Sequence, residues 1–519
     1  MTRYVYMAIA IAVVAIVVSG AALGLLYGRA KPVTVTESLI KAYTTTYVIQ
    51  RPATVTTTTT TTSTTTVTTT ATLTASPTTH RCTHWITLTI LTRHPTEILQ
   101  LAEKMFLSSP IAKEYCIKEI KPIKLPPGWW AKYIREHHVD VLWGGGPLLY
   151  DQLLSMGLLR PLTSPLVLKA ISQIPNTIAG VPTKRVVNGK IYWVADAVSS
   201  FGFTVNTKVA KELGFDWHKL RDWSDLASDE LGLLMLKTGV PVVGIADPTM
   251  STSNAFMYEI ILQAYGWDRG WGILTLLAAN SRIYLHSYKV RDAVIYGEVM
   301  VGITIDFYGY TAHEMNPACI YIVPASTVVD GDPIAVAAST EHPEAAQAFV
   351  AWALTAGQEI WLNKKVNRMP VNPSVWNTTL GKERTDLYHD YIKLLHMKSL
   401  NLNYTLATET WNAMTLYFKA TLVDEHDLLV KAWKALLKAY YIDHKISKAK
   451  FEELKKLLMS LPKFKDPLTG KVTTFTPSYA AKVSSVLEKN PKLASEFMAA
   501  WRAAARQKYL EVLKELGYS

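Results

Sequence analysis

The chain has 519 residues, of which 49% are hydrophobic and 18% are charged, and its formal net charge is +12. This length exceeds one ordinary domain and allows two sizeable cores, while the composition excludes a chain that is disordered throughout. The Lys and Arg residues are scattered, with a dense share in C-terminal helical stretches, which favours solvated helix faces over a nucleic-acid-binding surface. Three cysteines without a C-x-x-C pair argue against a structural zinc site.

The N-terminal part of the chain differs from the rest. Residues 4–28 carry no charge, and at about 1.5 Å per residue a helix of that length spans a bilayer core of about 30 Å. The segment is either an uncleaved anchor or a long signal peptide, and its length favours the anchor, because signal-peptide apolar regions normally have about 7–15 residues. Residues 32–80 are Thr-rich and cannot form a core, which predicts an extended stalk or a plain linker. The sequence therefore predicts a single N-terminal anchor in the cell membrane, with the rest of the protein outside.

From residue 84 onward, short apolar runs alternate with amphipathic helical runs. Examples are "WITLTIL" followed by "PTEILQLAEKMFLSS", and "VPVVGIAD" followed by "AFMYEIILQAY". This alternation predicts an α/β architecture with mostly parallel sheets. From about residue 385 the chain has Leu-, Ala- and Lys-rich helical stretches and no clear strand, which predicts a helical C-terminal portion.

Four predicted strands end in unusual polar sequences. In open α/β sheets, ligands bind beyond the carboxyl ends of the strands, where the helices begin. If two of these ends belong to one lobe and two to another, they face each other across a cleft. The candidate ligand-binding residues at these ends are Thr92, Arg93, His94, Gly144, Gly145, Gly146, Ser251, Thr252, Ser253, Asp306, Tyr308 and Tyr310.

Each group of candidates has a ligand interpretation and a structural alternative. Gly144–Gly146 can form a nest of N–H groups for an anion, or a tight turn. Ser251–Ser253 lie at a predicted helix N-terminus, which binds anionic groups or needs only one capping hydroxyl. Tyr308 and Tyr310, with Asp306, offer the hard oxygen ligands that suit ferric iron, and strand geometry would point both rings to one side; Tyr308 can instead be an aromatic cleft wall.

Two further charged segments have less specific interpretations. Arg93 and His94 either pair with an anion or cap a surface loop. The sequence Asp330-Gly331-Asp332-Pro333 is interpreted as a turn rather than as a carboxylate pair.

The cysteines suggest one pairing. Cys82 lies just before the strand-like "WITLTIL", and Cys116 immediately precedes "IKEIKPIKL". If these runs are neighbouring parallel strands, a Cys82–Cys116 disulfide is geometrically compatible with an oxidising exterior, and two unpaired thiols are the alternative. Cys319 is expected to be buried and inert.

Five segments in chain order resemble the extracellular solute-binding proteins of ABC importers, and the ferric-iron, anion and polyamine branch looks closest. They include "DVLWGGGPLLYDQLLSMGLLRPL", "ADPTMSTSNAFMYEIILQAYGWDRGWGILTLLAAN" and "YGEVMVGITIDFYGY", and the resemblance covers residues 84 to about 375. The anchor with its Thr stalk is similar to the archaeal membrane-anchored form.

The resemblance implies two α/β lobes with a periplasmic-binding-protein-like fold, joined by hinge strands near 199–205 and 321–325. The expected organisation is an anchor or signal segment at 1–31, a stalk at 32–80, lobe one at 81–198 and 326–385, lobe two at 199–325, and a helical extension at 386–519.

The leading functional hypothesis is capture of a small solute by lobe closure and its delivery to an ABC permease. The expected solute is an anion, ferric iron or a metal–anion complex. No cofactor is expected, ferric iron being a candidate transported ligand, and no nucleic-acid partner is expected. The chain has no G-x-S-x-G, H-E-x-x-H or P-loop motif, so we expect no enzymatic activity. An extracellular enzyme or a surface structural protein on the same two-lobed scaffold is the alternative.

Overall fold

The computed structural model describes residues 82–518, together with the backbone of residues 56–60 and 66–70. The predicted membrane segment at 4–28 lies outside the described residues. In the predicted stalk, Thr56–Thr60 pairs antiparallel with Thr66–Thr70. No helix in the described residues is long and apolar enough to cross a membrane. The chain from Cys82 onward forms one compact unit, which is the subject of everything below.

A single twelve-stranded sheet organises this unit, with the long strand Lys190–Asn206 near its middle. On one side lies the first strand set, in which three strands run parallel: Ile86–Thr92, Ile117–Lys124 and Val141–Trp143. On the other side lies the second strand set, also parallel: Val243–Ala246, Ser281–Tyr284 and Val301–Ile305. The remaining strands of this sheet are Leu159–Arg160, Lys184–Val187, Cys319–Ile322, Val329–Ala337 and Met369–Pro370.

The strand Lys190–Asn206 carries the chain from one half of the sheet to the other. Its first half pairs with the return strand Val329–Ala337, and its second half pairs with Val301–Ile305. From Trp193 onward it is buried without interruption, because both of its faces are covered. Both pairings are antiparallel. The strand Lys190–Asn206 leads the chain into the second half of the sheet, and Val329–Ala337 brings it back. The sheet is therefore mixed, and the prediction of mostly parallel sheets was wrong for the strands that join the two halves.

Helices cover both halves of the sheet. The helix after the first strand begins at Thr96, with Pro95 at its N-cap position. The helices before residue 400 are Thr96–Leu107, Pro110–Glu114, Trp130–Glu136, Pro147–Ser155, Pro165–Ile171, Thr207–Leu213, Asp229–Thr238, Thr252–Tyr265, Trp267–Ala279, Ser287–Ile295, Asp306–Met315, Pro343–Ala353, Thr379–Glu383 and Thr385–Leu395.

The C-terminal part is helical, apart from a small hairpin of two-residue strands at Phe464–Lys465 and Val472–Thr473. Its α-helices are Tyr404–Phe418, His426–Leu437, Lys448–Met459, Pro477–Lys489 and Pro491–Glu515. These helices share one hydrophobic core with the second strand set. At its centre Tyr417 stacks on Phe475 with ring centroids 3.9 Å apart, and Trp271 of the α/β part packs edge-on against Tyr417. The extension is thus built into the fold and does not form a separate core.

The structure contains the Cys82–Cys116 disulfide, with the two Cα atoms 5.6 Å apart. Ile86 is the parallel partner of Ile117, so both cysteines lie at the N-terminal ends of adjacent strands. Cys319 is buried and unpaired among the described residues.

Candidate ligand-binding site

The carboxyl ends of four strands meet at one cleft, whose empty space totals about 750 Å³, including the part open to solvent. Two of these strands belong to the first set and two to the second. The predicted residues that line the cleft are Arg93, His94, Gly145, Gly146, Ser251, Thr252, Ser253 and Tyr308. Four predicted residues lie outside the lining: Thr92, Gly144, Asp306 and Tyr310.

Arg93 brings a positive charge into the cleft immediately after the first strand. Its Nη1 donates to the main-chain oxygen of Leu125 at 2.8 Å, and its Nη2 donates to that of Met250 at 2.6 Å. Its Nε is buried and has no partner among the described residues. Burial lowers the pKa of the guanidinium, but an arginine side chain stays charged in a protein. Because both of these partners are neutral carbonyls, no carboxylate in the part of the chain that the structure describes is paired with this charge.

The N-terminal end of the helix Thr252–Tyr265 faces the same space. Ser251 is the N-cap, and its Oγ accepts from the Asn254 N–H at 3.3 Å. Thr252 and Ser253 are not needed for capping, and they line the cleft. The first N–H groups of a helix have no partner within it and carry about half a positive charge in total. The run of small hydroxyl residues thus supplies one cap and two further hydroxyl groups at a polar helix end.

The turn before this helix explains the other polar residues of "ADPTMSTSNAF". The Asp247 carboxylate accepts from the Thr249 N–H at 2.9 Å and from the Thr249 hydroxyl at 2.6 Å. Asn254 accepts from the Ala246 N–H at 2.8 Å, which ties the helix to the strand before it. These contacts shape the loop and leave Thr252 and Ser253 toward the cleft.

The three glycines do form a nest, but the protein fills it. The N–H groups of Gly145 and Gly146 donate to Asp332 Oδ1 at 2.8 and 3.0 Å. Gly144 has a φ of +74°, and a Cβ there would lie 2.7 Å from the His94 ring. A glycine is therefore required at position 144 for the close approach of the His94 ring, and the anion in the nest is a carboxylate of this chain rather than the predicted ligand. Sequence reasoning could not detect this, because Asp332 is 186 residues away from Gly146.

Asp332 and Arg368 form a buried ion pair beside His94. The Asp332 Oδ2 to Arg368 Nη2 distance is 2.6 Å, and the Arg368 side chain is 3% exposed. Burial raises the pKa of Asp332, but the Arg368 charge and the glycine N–H groups outweigh this effect and hold the pKa below its usual range. Arg368 is thus neutralised within the protein, in contrast to Arg93.

His94 is neutral in this setting. Burial, together with the nearby Arg368 and Lys124 charges, lowers its pKa to about 3, although Asp332 acts in the opposite direction. Arg368 Nη1 lies 3.3 Å from His94 Nδ1, and a guanidinium can only donate, so Nδ1 accepts and Nε2 carries the proton. That Nε2–H is buried without a partner among the described residues.

Sequence reasoning missed Asp332, Arg368 and Ser199. The predicted turn at Asp330-Gly331-Asp332-Pro333 is part of the strand Val329–Ala337, so that interpretation was wrong. Arg368 is the one charged residue in the short run "VNRMPV". A single charge in an otherwise uncharged run was the signal that could have indicated a buried functional residue. Ser199 is 1% exposed, lines the cleft, and its Oγ has no partner among the described residues.

The tyrosines lie on a helix rather than at a strand end. The helix begins at Asp306, and residues two apart on a helix point about 200° apart, so the expectation that both rings share one side was wrong. Tyr308 lines the cleft and Tyr310 instead packs against Tyr321, with ring centroids 5.6 Å apart. The Asp306 carboxylate accepts from the N–H groups of Ser200 and Phe307 at 2.6 and 2.7 Å. Among residues 82–518 no group of three or more His, Cys, Asp or Glu side chains is arranged to hold a metal ion.

Comparison with known proteins identifies the family of the central part. Residues 134–392 match the family of bacterial extracellular solute-binding proteins. The phosphoglycerate transport regulatory protein PgtC of Salmonella typhimurium is 28% identical over 276 residues, which are 52% of this chain and 62% of that protein. The chain thus spans about three fifths of the length of the curated relatives that it matches.

Two solved structures show the same fold. The periplasmic binding protein AfuA of Actinobacillus pleuropneumoniae, with fructose-6-phosphate bound, is 19% identical with a TM-score of 0.50, covering 67% of this chain and 97% of that chain. Maltose-bound MalE3 of T. maritima is 14% identical with a TM-score of 0.50, covering 68% and 99%. These likenesses, with the two strand sets around the cleft, show the two-lobed α/β fold of periplasmic binding proteins. Residues 134–392 of this chain therefore belong to the sequence family of the bacterial extracellular solute-binding proteins.

Proposed function

We propose that this protein captures a small organic anion, bearing a phosphate or carboxylate group, and delivers it to an ABC permease. The anionic group would bind between Arg93 and the N-terminal end of the helix Thr252–Tyr265. The observation that carries this proposal is the Arg93 guanidinium, which lines the cleft and whose hydrogen-bond partners within residues 82–518 are two neutral carbonyls. Closure of the two lobes would complete the site, with no bond made or broken.

The balance of charge in the cleft supports an anion. Arg368 is paired with Asp332, and His94 is neutral, so neither adds net charge. Within the described part of the chain, Arg93 remains as the unpaired positive charge of the cleft lining. The N-terminal end of the helix Thr252–Tyr265 adds a partial positive charge, and the hydroxyl groups of Thr252 and Ser253 add hydrogen-bond donors. A phosphate or carboxylate accepts hydrogen bonds from all of these groups at once.

The comparison with PgtC favours a phosphorylated solute, since the name of that protein refers to phosphoglycerate. The geometry gives less support to ferric iron. Of the two residues predicted to hold it, Asp306 uses its carboxylate in main-chain hydrogen bonds and does not line the cleft.

We also propose that residues 1–31 tether the protein to the membrane, through the stalk at 32–80, with the cleft outside the cell. The Cys82–Cys116 disulfide supports an oxidising exterior. Alkaline extraction of cell membranes tests the tether: an anchored chain stays in the membrane fraction, whereas a cleaved one is released.

The ligand proposal is tested with the full-length chain purified in detergent. Thermal unfolding and calorimetric titration would be measured with 3-phosphoglycerate, inorganic phosphate, maltose and ferric citrate. Binding to the folded state alone stabilises by about 2.7 kcal/mol at one hundred times Kd. We expect saturable stabilisation by the phosphate ligands and no product formation. Stabilisation by maltose or ferric citrate but not by the phosphates would contradict the proposal.

A further inference from the structure

The helix Tyr404–Phe418 belongs to the C-terminal helices and lies outside the family match at 134–392. One of its residues nevertheless reaches the cleft: Trp411 is 5% exposed and lines the cavity. The site is therefore built in part by a segment that the family comparison does not cover.

The chain reaches this position along the region that joins the two halves of the sheet. The Leu400 N–H donates to the Thr327 main-chain oxygen at 2.8 Å, just before the return strand. The Val329 N–H donates to Ser399 Oγ at 3.2 Å. These contacts hold the entry to the helix beside the return strand.

The helix Tyr404–Phe418 is then fixed to the helix Thr252–Tyr265 and to the helix Pro477–Lys489. The Asn403 N–H donates to Gln263 Oε1 at 2.7 Å, and Gln263 Nε2 donates back to the Asn403 oxygen at 3.1 Å. Asn403 also caps the helix by accepting from the Leu406 N–H at 3.0 Å. Further along, Ser484 Oγ accepts from the Asn412 N–H at 3.1 Å. Trp411 is thus held in place by contacts on both sides of it.

The same helix also contacts the first half of the molecule, where it packs against the helix Pro147–Ser155. Leu148 from that helix shares a hydrophobic cluster with Trp411 and Phe256. All three side chains line the cleft. They form an apolar wall, whereas Arg93 and Ser253 belong to the polar part of the lining.

We propose that Trp411 is a specificity residue, and that the solute is an anion with an apolar, preferably aromatic, body that packs on this wall. The proposal rests on the proposed function above. A ring placed on the indole buries apolar area and gains a stacking or edge contact. A polyhydroxylated body would leave hydroxyl groups without partners against Trp411, Phe256 and Leu148.

The experiment compares three probes on the full-length chain by calorimetric titration: phenyl phosphate, glycerol 3-phosphate and inorganic phosphate. We expect phenyl phosphate to bind at least about tenfold more tightly than either of the others. In Trp411→Leu, which keeps much of the apolar volume, phenyl phosphate should bind about fivefold to tenfold more weakly, with inorganic phosphate unchanged. Trp411→Phe should retain most of the preference.

The control is Trp501→Phe, in the same helical extension but outside the cleft lining. It should leave the affinities for phenyl phosphate and inorganic phosphate unchanged. Equal weakening of all three probes in Trp411→Leu would assign the residue to cleft shape and overturn the inference. So would a wild-type chain that binds phenyl phosphate no better than inorganic phosphate. If the wild type binds none of the three, the anion proposal itself falls, which distinguishes the two failures.

Discussion

Arg93 Nη2 lies 2.6 Å from the main-chain oxygen of Met250, across the cleft between the two strand sets. Arg93 follows the strand Ile86–Thr92 of the first strand set. Met250 lies in the loop between the second strand set and the helix Thr252–Tyr265. One side chain thus holds the two sides together and presents its charge to the space between them. Under the proposed function, closure and anion binding would therefore be coupled through the same guanidinium.

Replacing Arg93 with Gln should weaken binding of 3-phosphoglycerate by about 30-fold or more, since loss of one buried charged partner costs about 2–5 kcal/mol. Calorimetric titration of the full-length chain measures this change. Arg93→Lys keeps the charge but loses the two-pronged donor, so its affinity should fall between those of the wild type and Arg93→Gln. Equal affinities in all three proteins would show that Arg93 serves closure alone.

Ser251 and Ser253, at the start of the helix Thr252–Tyr265, should differ in their main effect, although both line the cleft and their hydroxyl oxygens lie 3.3 Å apart. Ser251 is the N-cap, so Ser251→Ala should lower the free energy of unfolding by about 1 kcal/mol. Ser253 lines the cleft, so Ser253→Ala should leave stability nearly unchanged and weaken 3-phosphoglycerate binding about threefold to tenfold. Urea unfolding and calorimetry measure the two effects. A Ser253→Ala protein with wild-type affinity would assign that hydroxyl to solvent.

Asp330 and Asp332 lie two residues apart on one strand and should respond oppositely to neutralisation. Burial raises the pKa of Asp330 to about 8, and its Oδ2 has no partner among the described residues. Its folded pKa is above the unfolded value of about 3.9, so the wild-type chain loses stability as the pH rises from about 4 to 8. Asp330→Asn removes this loss and should be more stable than the wild type at pH 7 by at least about 1 kcal/mol.

Asp332→Asn should instead destabilise the protein at pH 7 by about 3–5 kcal/mol, because it leaves the buried Arg368 charge unpaired. Urea unfolding of both variants between pH 4 and 8, without ligand, tests the pair. The stability advantage of Asp330→Asn should grow with pH. An advantage that stays constant over this range would contradict the assignment of Asp330 as the titrating group.

An alanine should be tolerated less well at position 144 than at a glycine that has a similar φ angle but open space beside it. Gly144→Ala combines a φ of +74° with a Cβ 2.7 Å from His94, whose ring packs against Trp143 and Trp361. We expect it to cost about 2–4 kcal/mol of unfolding free energy. Gly157 has a φ of +72° and nothing within 4 Å of its added Cβ, so Gly157→Ala should cost only about 1 kcal/mol. Equal costs would show that the His94 ring gives way.

The sequence predicted the position of the cleft better than the role of each residue in it. The sequence correctly placed three residues in the cleft lining: Arg93, Thr252 and Ser253. Parallel strands bring their carboxyl ends to one edge of the sheet, and this follows from the order of strands and helices. Tyr310 was placed wrongly because the strand was assumed to continue past Ile305, whereas the helix begins at Asp306. Side chains on a strand repeat every two residues and those on a helix every 3.6 residues. The Tyr310 ring therefore points away from the cleft.

By itself, the sequence determined the α/β alternation, the four strand ends and the helical C-terminal portion, because each depends on local periodicity and turn chemistry. Only the tertiary structure decided which partners meet. Asp332 fills the glycine nest and neutralises Arg368, Arg93 keeps its charge, and Trp411 closes the apolar wall. These pairings join residues far apart in the chain, and they depend on how the strand sets and the C-terminal helices pack around one cleft. Local sequence carries no record of that packing.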